Sequence, residues 1–224
     1  DFTAAVKRSR NVADGMSKGV QFLMKKNNIE VINGFGKVKA GKKVVVTDAD
    51  KKETEYTADH IIIATGARAK ELPFLPIDGK KIIGYRQAMT LPEQPKKMII
   101  VGSGAIGVEF AYFYNAMGTE VTIVEDEEIS KQFERSFKKS GIHVMTNSSV
   151  TKVDTSGKGV IATVKTKTGE ETLEADIVLS AVGIKSNIEN IGLEDVGIAV
   201  DRDKILVNEY YQTNIPGYYA IGDV

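Results

Sequence analysis

A glycine-rich turn between a short apolar strand and a helix constrains this sequence more than any other feature. The strand is Lys97–Val101, and the helix, Ala105–Met117, has an apolar face and stops at Gly118. In a Gly-x-Gly-x-x-Gly turn, the first glycine allows the tight bend, the second lets a ligand approach the backbone, and the third lets helix and strand pack closely. The free N–H groups and the positive dipole end of the helix attract phosphate. The sequence therefore predicts a phosphate-binding turn formed by Gly102, Ser103, Gly104, Ala105, Ile106 and Gly107.

A carboxylate follows the next strand at the position expected for a ribose contact. Glu125 comes directly after Val121–Val124 and 23 residues after Gly102, close to the roughly 20 residues typical of dinucleotide-binding folds. A carboxylate there accepts hydrogen bonds from the ribose 2′-hydroxyl and repels a 2′-phosphate. Residues 124–130 contain no Arg or Lys that would attract such a phosphate. The turn and the acid together predict an NAD site rather than an NADP site; the alternative is a structural turn beside a surface acid.

Strands and helices alternate around this turn. After the strand, the turn and the first helix, the sequence predicts a strand at Glu120–Val124, a helix at Glu127–Ser140 and a strand at His143–Met145. Such a βαβαβ order implies a parallel sheet with crossover helices. Three strands separated by polar turns follow and predict a three-stranded β-meander: Val150–Asp154, Val160–Thr166 and Glu171–Leu173. We therefore expect an α/β fold with a Rossmann-like NAD-binding domain.

The ends of two strand-rich regions match each other. Ala58-Asp59 is followed by Gly66 seven residues after the aspartate, and Ala175-Asp176 is followed by Gly183 at the same spacing. The match indicates two related supersecondary units. The glycine turn opens 81 residues before Gly183, and the same distance counted back from Gly66 falls about 15 residues before the first residue. The repeat therefore predicts that this chain is a fragment and that a first phosphate-binding turn precedes it.

Proline placement suggests where one unit gives way to the next. Four of the five prolines lie within 71–95, and proline clusters are typical of domain crossings. We expect a partial first domain at 1–70, a crossover at 71–95, the NAD-binding domain at 96–185 and a return to the first domain at 186–224. The first domain opens with a predicted helix at 3–27, which has one apolar face: Val6, Val12, Ala13, Met16, Val20, Leu23 and Met24.

Composition excludes several classes of site. Lys plus Arg and Asp plus Glu are both 30, so the zero net charge argues against a nucleic-acid surface. Cysteine is absent, which removes disulfides, zinc–thiolate sites and a cysteine nucleophile from this chain. His60 and His143 lack the partners that catalysis needs, and we expect no metal site. No apolar run reaches the length of a membrane span, so we expect a soluble protein of the cytoplasm or an organelle matrix.

These motifs together resemble a known family. The chain is similar to the middle of dihydrolipoamide dehydrogenases, which are flavin- and NAD-dependent disulfide oxidoreductases of 2-oxo acid dehydrogenase complexes. The resemblance covers nearly all 224 residues and is carried by the opening helix with Gly15–Val20, the turn Ala64-Thr65-Gly66, the loop and helix start Gly102–Glu109, Glu125, Ala181-Val182-Gly183, and the final Thr213–Asp223.

The resemblance assigns roles to individual residues. It implies that the glycine turn holds the NAD pyrophosphate, that Glu125 binds the adenosine ribose, and that Glu109 lies near the nicotinamide carboxamide, with Gly183 beside the nicotinamide end. It also implies that part of a related FAD-binding domain is present. In the full-length protein, the flavin contacts would come from Ala64, Thr65, Gly66, Gly222 and Asp223, with Asp223 accepting a hydrogen bond from a ribityl hydroxyl.

The resemblance also implies an activity for the full-length parent. In the family, electrons pass from dihydrolipoamide through a cysteine pair to FAD and then to NAD+, and a partner subunit of the homodimer supplies a His–Glu pair. Lipoyl domains are the expected partners. None of these reactive groups is in this chain, so we expect no catalytic residue here, an inactive fragment, and no FAD held by Asp223.

The sequence departs from the family pattern at two places: the loop after Glu125 is either truly short or lacks residues in this sequence, and the turn after Gly183 lacks the usual Arg and Pro, which affects that turn but not the NAD site. Glu125 is followed at once by Asp126-Glu127-Glu128-Ile129, where the family has a longer loop, and the usual Gly-Arg-x-Pro-Asn reads Gly183-Ile184-Lys185-Ser186-Asn187. For the chain as a whole, the alternatives to a dihydrolipoamide dehydrogenase are a sister reductase, such as an NADH oxidase, a glutathione-type reductase or a mercuric reductase, and a non-catalytic nucleotide-binding module.

Overall fold

The computed structural model describes residues 1–127, 129 and 131–224. The chain forms two compact units. Unit 1 contains Asp1–Ser17 and Ala69–Gly183, and unit 2 contains Lys18–Arg68 and Ile184–Val224.

The helices and strands of the described residues are numbered in chain order. The helices are α1 (Phe2–Lys26), α2 (Tyr85–Ala88), α3 (Ala105–Ala116), α4 (Lys131–Ser140) and α5 (Leu193–Val196). The strands are β1 (Phe35–Lys39), β2 (Lys43–Thr47), β3 (Glu53–Thr57), β4 (Ile61–Ile63), β5 (Ala67–Ala69), β6 (Ile82–Ile83), β7 (Lys97–Val101), β8 (Glu120–Val124), β9 (His143–Met145), β10 (Ser149–Asp154), β11 (Val160–Thr166), β12 (Gly169–Ala175), β13 (Ile177–Ser180), β14 (Ile184–Ser186), β15 (Val200–Asp201), β16 (Lys204–Ile205) and β17 (Tyr218–Ala220).

Unit 1 is built on a five-stranded parallel sheet with the order β6-β13-β7-β8-β9. Alternate side chains of its strands serve two cores. Ile100 and Leu179 pack with the helix layer, whereas Ile99 and Val178 pack with the meander layer. All four are at most 2% exposed, as expected for strands buried on both faces. The predicted βαβαβ order is confirmed.

The boundaries of individual elements differ slightly from the prediction. Helix α4 begins at Lys131 rather than Glu127, and α3 ends one residue early, at Ala116. Residues 128 and 130, which belong to the predicted start of α4 and the short segment after Glu125, lie outside the described residues. The predicted meander is confirmed as the antiparallel sheet β10-β11-β12, and its outer strands are longer than expected.

The proline-rich segment is part of unit 1 and not a separate crossover. Residues 71–95 contain β6 and α2, and β6 extends the parallel sheet by pairing with β13. Leu75 and Ile83 are fully buried, and Ala88 is 1% exposed. The prediction of a linker here was wrong because isolated prolines prevent long elements but allow short ones between them.

Helix α1 confirms the predicted helix, and several residues of its apolar face are exposed. Phe2 is its one buried residue among those described, and its ring lies 5.7 Å from the ring of Tyr114 within unit 1. By contrast, Val12, Met16 and Val20 are 52%, 69% and 53% exposed. The helical spacing correctly places these residues on one face, but spacing alone does not provide a surface to cover them.

Unit 2 contains a second antiparallel meander, β1-β2-β3, and a parallel pair, β4 and β17. Both contribute to one apolar core with α5. Tyr218 joins the pair to the meander: its hydroxyl accepts a hydrogen bond from the Lys42 amide at 2.8 Å and donates one to the Lys39 carbonyl at 2.5 Å. The repeat identified in the sequence therefore corresponds to a meander followed by a parallel strand in each unit.

Candidate functional site

A cavity of about 440 Å³ lies at the carboxyl ends of the central strands of unit 1. In open parallel sheets, ligands bind in this position because the loops after neighbouring strands leave a crevice. The turn after β7 forms one wall, and Glu125, after β8, forms another. Val182 and Gly183, after β13, and Ser148, after β9, complete this side of the cavity.

The glycines of the turn differ in what surrounds them. Gly102 has φ +102°, and a Cβ added there would lie 2.5 Å from the Ala181 carbonyl oxygen. A Cβ at Gly107 would collide with the Gly102 carbonyl oxygen, so this glycine allows α3 to pack against β7. A Cβ at Gly104 would meet no atom within 4 Å. Gly104, at the N-cap of α3, therefore leaves bare backbone open to a ligand.

Glu125 is fixed at the turn by backbone hydrogen bonds. Its Oε2 accepts from the Ser103 amide at 2.6 Å, and its Oε1 accepts from the Glu127 amide at 3.3 Å. Burial alone would raise the pKa of this carboxyl, but the hydrogen bonds from Ser103, Asp126 and the two amides lower it. The hydrogen bond with Glu125 raises the pKa of Asp126 in turn. Glu125 therefore stays ionised and presents its remaining lone pairs as acceptors.

The cavity gathers some of the predicted site residues and not others. Gly102, Ser103, Gly104, Glu125 and Gly183 all line it. The other predicted NAD-binding residues lie on helix α3, outside the cavity lining: Ala105, Ile106, Gly107 and Glu109. Gly107 is buried beneath the turn, and Glu109 is exposed on the helix surface.

Sequence reasoning missed part of the cavity wall. Leu72 and Phe74 line it although they belong to the proline-rich segment, which gives no periodic pattern. Ser148 and Ser149 line it as well. Their place just after β9 is a signal that was available, because loops at the carboxyl edge of a parallel sheet share one crevice.

Two further turns lie together in unit 2. Ala64-Thr65-Gly66 follows β4, and Gly222-Asp223 follows β17 by one residue; because these strands are parallel neighbours, both turns lie at the same sheet edge. The Ile221 amide donates to the Ile63 carbonyl at 3.0 Å. Gly66 and Gly222 have φ +64° and +77°, and a Cβ at either would meet no atom within 4 Å. The edge thus presents two turns of open backbone.

A polar network holds the first of these turns. The Asn187 amide donates to the Gly66 carbonyl at 2.8 Å, and its side-chain amide donates to the Thr65 carbonyl at 3.1 Å. Arg68 donates to Asn187 Oδ1 at 2.8 Å and to both carboxylate oxygens of Glu189. The hydrogen bond from Arg68 holds the pKa of Glu189 far below its usual range. Asn187 therefore keeps a structural role although the family's Arg and Pro are missing before it.

Two kinds of feature were not found in the described part of the chain. No group of three or more His, Cys, Asp or Glu side chains could hold a metal ion there. No helix in those residues has both the length and the apolar character needed to cross a membrane.

Known proteins with similar sequences include dihydrolipoyl dehydrogenases. The chain is 42% identical to the dihydrolipoyl dehydrogenase of Rhizobium etli and 38% identical to the mitochondrial dihydrolipoyl dehydrogenase of Pisum sativum, in each case over its full length. It spans about half of those proteins, 52% and 47% respectively. The alignments cover 248 and 236 positions, so these relatives carry residues that the 224-residue chain lacks.

Solved structures show the same fold. The crystal structure of LpdA from Mycobacterium tuberculosis matches 99% of this chain with a TM-score of 0.90 at 29% identity, and the chain covers 51% of it. The flavoprotein disulfide reductase RclA from Escherichia coli, at 24% identity and a TM-score of 0.85, shares the fold. The model of the family described as pyridine nucleotide-disulphide oxidoreductase matches residues 2–224. The chain belongs to the pyridine nucleotide-disulphide oxidoreductase family.

Proposed function

We propose that unit 1 binds NAD(H) and that the chain is the central part of an NAD-linked dihydrolipoamide dehydrogenase. The observation that carries the proposal is a single cavity containing both the glycine turn, with its open backbone at Gly104, and the hydrogen-bonded carboxylate of Glu125. Phosphate and ribose are the two groups that every dinucleotide presents at this spacing, and the turn and the acid recognise one each.

The turn and the acid divide the binding between them. The N-terminal amides of α3, a helix of 12 residues, face the pyrophosphate across Gly104 and donate hydrogen bonds to it. Glu125 accepts hydrogen bonds from the adenosine ribose, and its retained negative charge disfavours the 2′-phosphate of NADP. Gly183 flanks the nicotinamide end of the cavity, and Glu109 acts at the carboxamide in the full-length protein.

We propose that the two open turns of unit 2 contact FAD in the full-length parent. Gly66 and Gly222 leave room for close approach of a ligand to the backbone, and Asp223 is exposed beside them as an acceptor for a ribityl hydroxyl. Bound FAD would carry electrons from a dithiol to NAD+. The chain itself contains no cysteine, so the dithiol chemistry belongs to parts of the parent outside this sequence, and the chain alone would be inactive and without FAD.

The relatives suggest the setting of the parent. Dihydrolipoyl dehydrogenases of bacteria and of mitochondria match over the whole chain. We therefore propose dihydrolipoamide as the dithiol substrate, lipoyl domains as partners, a homodimeric parent, and a location in the cytoplasm or an organelle matrix.

Titration of the 224-residue chain with NADH, followed by fluorescence, tests the nucleotide site. We expect saturable binding to the wild type and a loss of at least tenfold in affinity for Gly104→Val, because the valine fills the space where phosphate approaches the backbone. Gly157→Val is the matched control, since a Cβ there also meets no atom within 4 Å and Gly157 lies outside this cavity. Absence of saturable binding to the wild type would overturn the proposal.

A second titration with NADPH tests the role of the acid. Wild type should bind NADH at least tenfold more tightly than NADPH, and Glu125→Gln should narrow this difference because the amide no longer repels the 2′-phosphate. Equal affinity of the wild type for both nucleotides would contradict the NAD preference while leaving the dinucleotide site in place.

A further inference from the structure

The charges that line the cavity of unit 1 are unevenly distributed. Glu125, Asp126 and Glu127 place three carboxyl groups together after β8. Lys70 is the one cationic side chain among the described residues that line the cavity. A dinucleotide carries two negative charges on its pyrophosphate, so a cavity rich in carboxyl groups gains from a cation that faces those charges.

The position of Lys70 is fixed by backbone contacts. Its amide donates a hydrogen bond to the Gly183 carbonyl at 3.0 Å, which joins the segment after β5 to the turn after β13. Farther along the same wall, the Leu75 amide donates to the Leu72 carbonyl at 2.9 Å, and the Leu75 side chain is fully buried. These hydrogen bonds hold the wall at two points, and Lys70 is thereby kept in the cavity lining.

The ammonium group of Lys70 is available to a ligand. The residue is exposed, and its side chain makes no ion pair with any described residue. Its flexible stem lets the ammonium swing towards a bound phosphate without first breaking another contact. The chain as a whole has zero net charge, so overall attraction does not concentrate an anionic ligand at the cavity, and a local cation adds to the attraction of the α3 N-terminus.

We propose that Lys70 is a further dinucleotide-binding residue, whose ammonium pairs with the pyrophosphate of NAD(H). The inference rests on the proposed NAD site and adds to it a charged contact that the glycine turn and the ribose acid do not provide. Because the pair is partly exposed to solvent, it contributes affinity that depends on ionic strength.

NADH titrations of the 224-residue chain at about 20 mM and about 300 mM salt test the inference. We expect Lys70→Ala to weaken binding about threefold and Lys70→Glu about tenfold at low salt, with both differences shrinking at high salt. Lys158→Glu is the matched control. It makes the same change of charge within unit 1, on the β10–β11 turn, which lines a different cavity. Thermal unfolding of each variant shows that the fold is intact.

Competition by ADP-ribose against NADH locates the contact. ADP-ribose keeps the pyrophosphate and lacks the nicotinamide, so Lys70→Glu should weaken it as much as it weakens NADH. If Lys70→Glu loses affinity for NADH but not for ADP-ribose, the pairing with the pyrophosphate is overturned. It is also overturned if Lys158→Glu loses as much affinity for NADH as Lys70→Glu does. If the wild type binds NADH and Lys70→Glu binds it equally well, the inference fails while the NAD site stands. If the wild type does not bind at all, the proposed function fails, and the inference fails with it.

Discussion

The two units share a meander, strand and glycine in the same order, but different strands surround this segment in each unit. In each, a meander leads into a short parallel strand, and a glycine with positive φ follows three residues after the strand ends, Gly66 in unit 2 and Gly183 in unit 1. In unit 1 that strand, β13, lies between β6 and β7 in a sheet of five. In unit 2 the corresponding strand, β4, pairs with β17 alone among the described strands. Equivalent sequences therefore have different surroundings.

The difference is visible at a single pair of positions. Counted back from the two glycines, Leu179 of β13 corresponds to Ile62 of β4. Leu179 is fully buried, whereas Ile62 is 60% exposed. An apolar run in a strand shows that the strand suits a parallel sheet, but helices and neighbouring strands determine whether its side chains are covered. This exposure agrees with the proposal that unit 2 is part of a larger flavin domain.

The largest expected effect comes from truncating this pair. Leu179→Ala should lower the free energy of unfolding of unit 1 by about 2–5 kcal/mol, because it leaves a cavity in a close-packed core. Ile62→Ala should change the stability of unit 2 by no more than about 0.5 kcal/mol. Urea unfolding measures the loss, and amide hydrogen exchange assigns it to a unit. Equal losses of unfolding free energy in the two variants would show that Ile62 is buried in solution as Leu179 is.

The two glycines themselves should behave alike. Gly66→Ala and Gly183→Ala each force alanine into positive φ, +64° and +112° respectively, with no atom near the new Cβ. Each should cost about 1 kcal/mol. Gly157→Ala, which has open space and no positive φ, serves as the control and should change stability little. A cost at Gly66 several times that at Gly183 would break the equivalence of the two turns.

A buried serine in unit 1 provides a smaller test. Ser180 corresponds to Ile63 of unit 2 and is 3% exposed, and its Oγ is the one buried side-chain polar atom of the described residues that lacks a hydrogen-bond partner. Ser180→Ala should therefore stabilise unit 1, by up to about 1 kcal/mol, because an unpaired hydroxyl is costly in an apolar core.

The control for this change is another buried serine. Ser148 Oγ donates to the Thr146 carbonyl at 3.0 Å, so Ser148→Ala should destabilise unit 1 by about 1 kcal/mol. Thermal unfolding shows whether each substitution raises or lowers the stability of unit 1. Destabilisation by Ser180→Ala would indicate that its hydroxyl has a partner in solution, such as an ordered water.

Local patterns predicted the framework of unit 1. The strand, glycine turn, helix and acid from Lys97 to Glu125 were predictable because the periodicity, the steric needs of Gly102 and Gly107, and the position of the acid all act over short distances. The same holds for the meander, whose polar turns separate alternating strands. These features specify the floor of the cavity and one of its walls.

Long-range contacts determined what the sequence did not predict. The wall at Leu72 and Phe74 depends on backbone hydrogen bonds such as that from Lys70 to Gly183, which join distant residues and leave no periodic pattern. The exposure of the apolar face of α1 has a related reason. Its spacing shows that Met16 shares a face with other apolar residues, but coverage of that face depends on elements elsewhere.

The smallest effect concerns two carboxyl groups whose lowered pKa values have different causes. Hydrogen bonds from the Ser103 side chain and from backbone amides outweigh burial and lower the pKa of Glu125 in unit 1, whereas Arg68 and Lys185 lower that of Glu189 in unit 2. Both groups contribute stability that is present above their usual value of 4.5 and is lost as pH falls through the lower, folded-state pKa. Glu125→Gln and Glu189→Gln should therefore unfold at lower temperature than the wild type at pH 7, and the differences in unfolding temperature should fade as pH falls below 4.5.

Salt separates the two causes. Since salt screens exposed ion pairs more than short hydrogen bonds, about 0.5 M salt should reduce the difference in unfolding temperature for Glu189→Gln at pH 7 and leave that for Glu125→Gln nearly unchanged. Thermal unfolding across pH at two salt concentrations measures both effects, and equal salt sensitivity would refute the distinction between the two causes.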